Sequence, residues 1–389
     1  MHIEVPRVDL TKVERQALGG LAVIGGSIAV LGAVLAPDRM WASWLQVSYF
    51  ALGLGLAGLC FVAIHYTTGA SWSVAIRRVG EALASTLPFS LGLLAVVLVA
   101  RPQLYAWTSV RVAAAADVFK FLWLDRTFFL VRAGVYAAMW MAFAIPICRN
   151  SRRQDEDGAR RWTHANTRLS AAFLVVFGVT FTLASMDWVM SLEPLWYSTI
   201  FGVYNFAGLF LSGLAAIVVV ALWLERRGPL QNVLNDEHLH DLGKLLFGFS
   251  TFWMYIWFSQ YLLIWYTNIP EETAYFVQRM HGAWLPLFLL NIVLNWFVPF
   301  AVLLRRDTKR QRKTLRRVAT TVLVGRWIDV YLMIFPAIVG EVPRLGLWEI
   351  GLTAGGIGGF GLVLVRILGG APAVPIADPQ LVESLHYEH

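Results

Sequence analysis

Residues 183–206 read LASMDWVMSLEPLWYSTIFGVYNF, and both flanks are long apolar runs. Asp187 and Glu193 stand six positions apart inside this greasy stretch. A carboxylate at membrane depth is costly and marks either a functional site or a paired structural one. The stretch therefore asks two things: whether the chain lies in a bilayer, and what its acids meet there.

Composition answers the first. The chain is 58% hydrophobic and only 15% charged, with 17 Trp and 24 Phe, where soluble domains sit near half apolar and a quarter charged. Runs of about 20 apolar residues, each enough to cross roughly 30 Å of hydrocarbon, fall near 17–36, 46–67, 83–100, 128–147, 169–192, 199–223, 242–267, 279–304, 317–340 and 347–368. The pattern predicts an all-α polytopic membrane protein of about ten transmembrane helices. Residues 1–16 are expected to be a polar cytoplasmic segment that does not read as a cleavable signal, 17–368 the membrane domain and 369–389 a cytoplasmic C-terminal tail. Pro88 is expected to kink the third span.

Lys and Arg set the orientation. Arg7, Lys12, Arg15, Arg77, Arg78, the arginines of 148–168, Arg226, Arg227, Lys244, the loop RRDTKRQRKTLRR at 305–317 and Arg366 fall on one side. Arg39, Arg101, Arg111, Lys120, Arg126, Arg279 and Arg344 fall on the other. Both termini are thus expected to be cytoplasmic. The pI near 9.5 reflects topology and contact with anionic lipids, not nucleic acid. Connection 101–127, with VRVAAAADVFKFLWL at 110–124, suggests a helix at the membrane surface or beneath a partner. NIPEET at 268–273 suggests a turn, and the Pro/Gly-rich 369–389 suggests an extended tail that could lie on a neighbouring subunit.

The outer edge gathers Asp187, Glu193, Glu271, Glu272, Glu341 and Glu349, with Arg279, His281, Trp188 and Trp196 in the same layer. A partly desolvated carboxylate beside a His could take protons from a quinol, so Asp187, Glu193, Arg279, His281 and Trp188 are quinone-site candidates. Aromatic belts and capping acids also occur at any membrane interface. Deeper, GRWIDVYLMIFP at 325–336 places Arg326 and Asp329 three apart on one helix face, roughly 14 and 18 Å into the bilayer. With Tyr331, Tyr255, Gln260, Asn291, Asn295 and Tyr204 they could form a proton path, or a self-neutralised pair that fixes packing. Arg132 lies near a span end and is expected to snorkel.

Cys60 and Cys148 are too few to hold an iron–sulfur cluster alone and read as small buried hydrophobes. His65 and His281 belong to opposite faces, so bis-His haem ligation by this chain is not expected.

RLSAAFLVVFGVTFTLASMDWVMSLEPLWYSTIFGVYNFAG (168–208), TFWMYIWFSQYLLIWYTNIPEETAYFVQRMHGAW (251–284) and DRTFFLVRAGVYAAMW (125–140) resemble the larger, ActF-type integral membrane component of alternative complex III, a bacterial quinol:electron-acceptor oxidoreductase. Family members often carry a His after the Glu-Pro, where this chain has Leu195. The resemblance implies two four-helix bundles, about 46–192 and 199–340, flanked by one helix at each end, as in polysulfide-reductase-type (NrfD-like) membrane subunits. It implies partners: a sister subunit of the same fold, a multihaem cytochrome and an iron–sulfur subunit. It also implies a quinone site, a proton-conducting role, or both. Asp187–Pro194 and Asp329–Pro336, each seven apart, echo one another in the last helix of each expected bundle. A secondary transporter and a structural scaffold are the competing readings; polar residues crowding one edge, rather than broken helices at mid-depth, count against the transporter.

Overall fold

The computed structural model describes residues 8–108 and 118–387. Among them the chain is helical throughout, without a strand, and eight helices are long and apolar enough to cross a membrane. The protein is therefore a helical, membrane-embedded one.

Helix α1 (Lys12–Leu35) opens on a capping box in which Thr11 and Glu14 satisfy each other's backbone N–H groups. Helix α2 (Pro37–Thr68) follows almost at once and ends on Gly69 in the left-handed region. After a tight turn at Ser71–Ile76 come α3 (Arg77–Ala84) and α4 (Leu87–Ala100). The expected third span is broken here, not kinked. The Ser85 and Thr86 hydroxyls donate to the Glu81 and Leu83 carbonyls at 2.8 and 2.7 Å, and Pro88 sits in the first turn of α4, where its missing N–H costs nothing.

A short α5 (Val118–Trp123) precedes α6 (Arg126–Asp157), α7 (Arg160–Trp188), α8 (Phe201–Arg227) and α9 (Asp236–Thr267). Residues 109–117 of the expected surface helix lie outside the described residues. NIPEET is the start of a helix and not only a turn. Pro270 begins α10 (Pro270–Met280), with Glu271 and Glu272 in its first turn and Arg279 in its last, charges that suit the helix dipole. The following span is interrupted: α11 (Leu285–Ile292), a π-helical turn at Val293–Phe297, then α12 (Val298–Leu303). Four more helices complete the chain: α13 (Arg306–Arg310), α14 (Arg312–Ile334), α15 (Pro336–Val339) and α16 (Leu347–Gly369), before a last turn, α17 (Leu381–Leu385).

The two helices richest in buried residues lie at the centre. In α2 and α8 the most apolar window is 72% and 83% buried, against 17% and 22% in α1 and α16, which lie at the periphery. The helices from the two ends of the chain pack on each other. Gly25 and Gly355 bring their backbones so close that a Cβ on Gly25 would lie 2.2 Å from the Gly355 Cα. Without a hydrophobic drive between helices in lipid, such small-residue contacts supply the association.

We call the end carrying 305–317 the basic end and the end carrying Glu193, Glu271 and Glu272 the acidic end. At the basic end, Arg77 and Arg78 are held inside the protein. Both are buried; Arg77 Nη1 pairs with Asp378 Oδ2 at 2.6 Å, and Arg78 pairs with Glu81 at 2.6 Å and with Asp155.

The C-terminal tail does not extend away but straps the basic end of its own chain. Ser384 Oγ donates to the Trp72 carbonyl at 2.9 Å and accepts the Ala75 N–H at 3.1 Å, and the Tyr387 hydroxyl donates to Asp241 at 2.8 Å. His238 lies against Ser384, and its Nδ1 accepts the Asn235 N–H at 3.2 Å, which only a neutral imidazole does. Burial lowers His238 from 6.5 to about 4, with Asp241 opposing the shift. With the strap detached, His238 takes up a proton first as pH falls. The stability from this contact is therefore full above about pH 6.5 and drains toward pH 4, a loss of roughly 1–3 kcal/mol. Protection of the 371–387 amides, with the intrinsic exchange rate at each pH divided out, is expected to fall from about pH 7.5 to about pH 5. Protection that is flat with pH in wild type, or a fall that persists in His238→Asn, contradicts the assignment.

Candidate functional site

Two buried aspartate–arginine sites occupy the membrane-spanning region, and the helices position them in related ways. The first sits at the acidic end of α6 and α7. Asp187 is 1% exposed, in the last turn of α7. Arg132 grips its carboxylate with two hydrogen bonds, Nε to Oδ2 and Nη2 to Oδ1, both 2.9 Å. Trp123 Nε1 donates to Oδ1 at 2.8 Å and the Tyr136 hydroxyl to Oδ2 at 3.0 Å. The guanidinium also lies 4.1 Å from the Trp123 ring centroid and 4.4 Å from that of Phe128, and Arg132 Nη1 donates to the Trp123 carbonyl. Bidentate, charge-assisted pairing and two aromatic faces make this a tightly fixed group. Arg132 does not snorkel; it is buried.

The second site lies deeper, between α8, α11 and α14. Asp329 is 1% exposed and Arg326 3%. Asp329 accepts hydrogen bonds from Arg326 Nη1 and the Tyr204 hydroxyl, and from Asn291 Nδ2 at 2.7 Å. Asn295, inside the π-helical turn, donates its Nδ2 to the Asn291 side chain at 2.6 Å and to its carbonyl at 2.9 Å. Such single-turn bulges often accompany functional sites because the extra residue re-aims side chains. Arg326 also lines a cavity of about 20 Å³ with Tyr49, Phe181, Asn205, Ser212 and Val330, room for roughly one water. Across it the Tyr49 hydroxyl donates to Asn205 Oδ1 at 2.9 Å, joining α2 to α8.

Gly208 makes the space for this site. A Cβ there would lie 1.9 Å from Arg326 Nη2, so the guanidinium must shift from its place beside Asp329. Gly208→Ala is expected to cost about 1–3 kcal/mol, read as a lowered thermal unfolding midpoint in detergent. An unchanged midpoint contradicts this geometry.

The candidate quinone-site residues divide between two clusters. Asp187 is bound to Arg132, whereas Arg279 belongs to a third group. Buried Arg279 donates from Nη2 to Glu193 Oε1 at 2.5 Å, from Nε to the Leu332 carbonyl at 2.8 Å and from Nη1 to the Tyr275 carbonyl at 2.9 Å. Its guanidinium lies 3.5 Å from the centroid of Tyr275, which stacks on Trp196 at 4.0 Å. His281 is exposed, with Nδ1 2.9 Å from the Val277 carbonyl. Trp188 is buried with Nε1 unpartnered, edge-on to Trp140 and Tyr136. Among these candidates the charged groups Asp187, Glu193 and Arg279 are committed to ion pairs, while Trp188 Nε1 is left without a partner.

Of the deeper candidates, Asn291, Asn295 and Tyr204 join Asp329 and Arg326. Tyr331 does not: it stacks between Trp327 and Phe335, and its hydroxyl accepts the Arg344 N–H at 3.0 Å. Tyr255 is 64% exposed on the outer face of α9 and lies off any internal path. Gln260 is buried. His65 is packed between Phe61 and Trp72. Sequence reasoning missed Arg132, Tyr136 and Trp123 as partners of Asp187. The signal available was the four-residue spacing of Arg132 and Tyr136, which puts both on one face of α6.

No protein-family model matches the chain, and no curated protein matches it significantly.

Proposed function

We propose that the chain is an integral subunit of a quinol-oxidising electron-transfer complex of the alternative complex III kind, and that its own part is to carry protons rather than to hold the quinol. The observation that carries this reading is the Asp329 cluster. A carboxylate, a guanidinium, a phenol and two carboxamides are buried at mid-depth beside a water-sized cavity, and chains of such groups are how proton relays cross membranes. A proton taken up on Asp329 loosens its bond from Arg326, whose guanidinium already borders the cavity; release restores the pair.

In this reading ten helices cross the membrane. The two additional to the eight most apolar are α9 and α14, of 32 and 23 residues, whose polar side chains lower their hydropathy. The helices group as α2–α7 and α8–α14, with α1 and α16 paired alongside. A common plan for both groups is favoured by a repeated device. The aspartate of the last helix takes hydrogen bonds from the preceding span, from Arg132 and Tyr136, four apart, in one group, and in the other from Asn291, which Asn295 holds from four residues on. Both termini are cytoplasmic, by the distribution of Lys and Arg. The partners are a sister subunit, a multihaem cytochrome and an iron–sulfur subunit, with lipid around them. The transporter reading is weaker because the helix breaks, at 85–86 and 293–297, do not fall in corresponding spans of the two groups.

The test is purification of the tagged chain from its native membrane in mild detergent. Co-purifying haem and iron–sulfur absorbance is expected; a chain that comes alone overturns the reading.

A further inference from the structure

A large cleft lies apart from both charged sites. It has a volume of about 650 Å³ and opens between α2, α4, α14 and α16, with Val47, Leu54, Leu93, Leu323, Trp327 and Phe360 among its walls. It runs into a second cavity of about 210 Å³ that shares Val47, Leu93 and Gly356 with it. Two features keep it open. Gly356 lacks a Cβ that would press to 2.3 Å from Val47 Cγ1. Across the cleft, α14 and α16 are tied by one hydrogen bond, Trp327 Nε1 to Thr353 Oγ1, at 3.0 Å.

We propose that this cleft is a binding site for one acyl chain of a phospholipid from the leaflet at the acidic end. The lining asks for hydrocarbon alone. Its two hydroxyls are already spent on their own helices: Thr320 donates to the Arg316 carbonyl at 2.9 Å and Thr353 to the Glu349 carbonyl at 2.7 Å, while also accepting from Trp327. A quinone head would find no open partner at this depth, whereas a chain of methylenes needs none. The volume is that of a ligand pocket, not a packing defect.

The dimensions point the same way. The wall of α16 from Ile350 to Phe360 is roughly 15 Å long, starting one turn below the acidic end and reaching mid-membrane. The segment joining α14 to α16 lies at the acidic end of these two helices. It carries exposed Arg344, whose N–H is held by Tyr331, the residue stacked on Trp327. At the same end of α16, Arg39 pairs with Glu349 at 2.7 Å. Interfacial Trp and Arg are the side chains that meet phosphate and glycerol there. Arg344 offers a cation to the headgroup phosphate, with exposed Glu341 three residues before it in the same segment.

The experiment is native mass spectrometry of the complex purified in mild detergent, comparing wild type with Ala354→Phe and Val324→Phe, either of which fills the cleft from a different helix. Wild type is expected to retain one phospholipid more than both variants, which keep the wild-type fold by thermal unfolding; a variant that fails this control leaves the other to decide. Arg344→Gln, which leaves the cleft open, is expected to weaken retention of added phosphatidylglycerol about fivefold relative to phosphatidylcholine. Equal phospholipid counts in wild type and a folded cleft-filling variant overturn the proposal. So does a retained mass that proves to be a prenylquinone.

Discussion

Asp329→Ala is expected to destabilise the protein by about 3–5 kcal/mol, and Asp329→Ala/Arg326→Met to recover most of that loss. The asymmetry follows from where the charges sit. With Asp329 gone, Arg326 remains 3% exposed beside Gly208, with Trp253 at 5.7 Å as its nearest aromatic face. A guanidinium cannot shed its proton, so the uncompensated charge stays and must drag water or distort the helices. Removing both partners replaces a costly pair with apolar volume, which buried ion pairs tolerate well. The converse single change, Arg326→Met, is milder, because the carboxylate left behind keeps Tyr204 and Asn291 and can be neutralised by protonation. Thermal unfolding in detergent reads the order of the three variants. A single Asp329→Ala as stable as the double variant shows that Arg326 finds another partner.

The second large effect is expected at Asp187. Asp187→Ala removes the acceptor of four hydrogen bonds, two from Arg132 and one each from Trp123 and Tyr136. About 3–5 kcal/mol is expected to go with it. Here the damage has a local signature: Trp123 loses its anchor, and α5 loosens with it. The Tyr105 hydroxyl, bonded to the Trp188 carbonyl at 3.0 Å, and Trp107 Nε1, bonded to Ser191 at 3.3 Å, hang on the same turn. Proteolysis is therefore expected to open first in the 101–125 connection, well before the helices unfold. A variant cleaved no faster there than wild type contradicts the role given to Asp187. Arg132→Met is expected to be milder, by the same protonation argument.

Much of this is legible in the chain itself. Long apolar runs and an uneven spread of Lys and Arg announce a polytopic helical protein, and Asp187, Arg326 and Asp329 stand out because charge is rare in such runs. The depth of Arg326 and Asp329 and the inward face they share follow from helix geometry alone. What cannot be read is which neighbour each acid meets. Depth groups Asp187 with Arg279 and His281, yet lateral packing gives it Arg132 on the adjacent helix and hands Arg279 to Glu193. Depth follows from counting along one helix, while partners depend on rotation about its axis. Tyr255 is misplaced for the same reason, since nothing local tells its face from that of the buried Trp253 two residues earlier. The tail at 369–389 reads as extended because Gly and Pro dominate it. Its fold depends on Asp378 and Ser384 finding Arg77 and the turn at 71–76, contacts more than 300 positions away.

The account rests on Asp329 as a proton-carrying group, and one measurement tests that most directly: the number of protons moved per electron by the complex in liposomes, wild type against Asp329→Asn/Arg326→Gln, which removes the titrating carboxylate without stranding the guanidinium. The account predicts that quinol turnover continues while proton movement falls to what quinol oxidation releases by itself. An unchanged ratio in an assembled, folded complex would contradict it and leave the Asp329 cluster as a packing device.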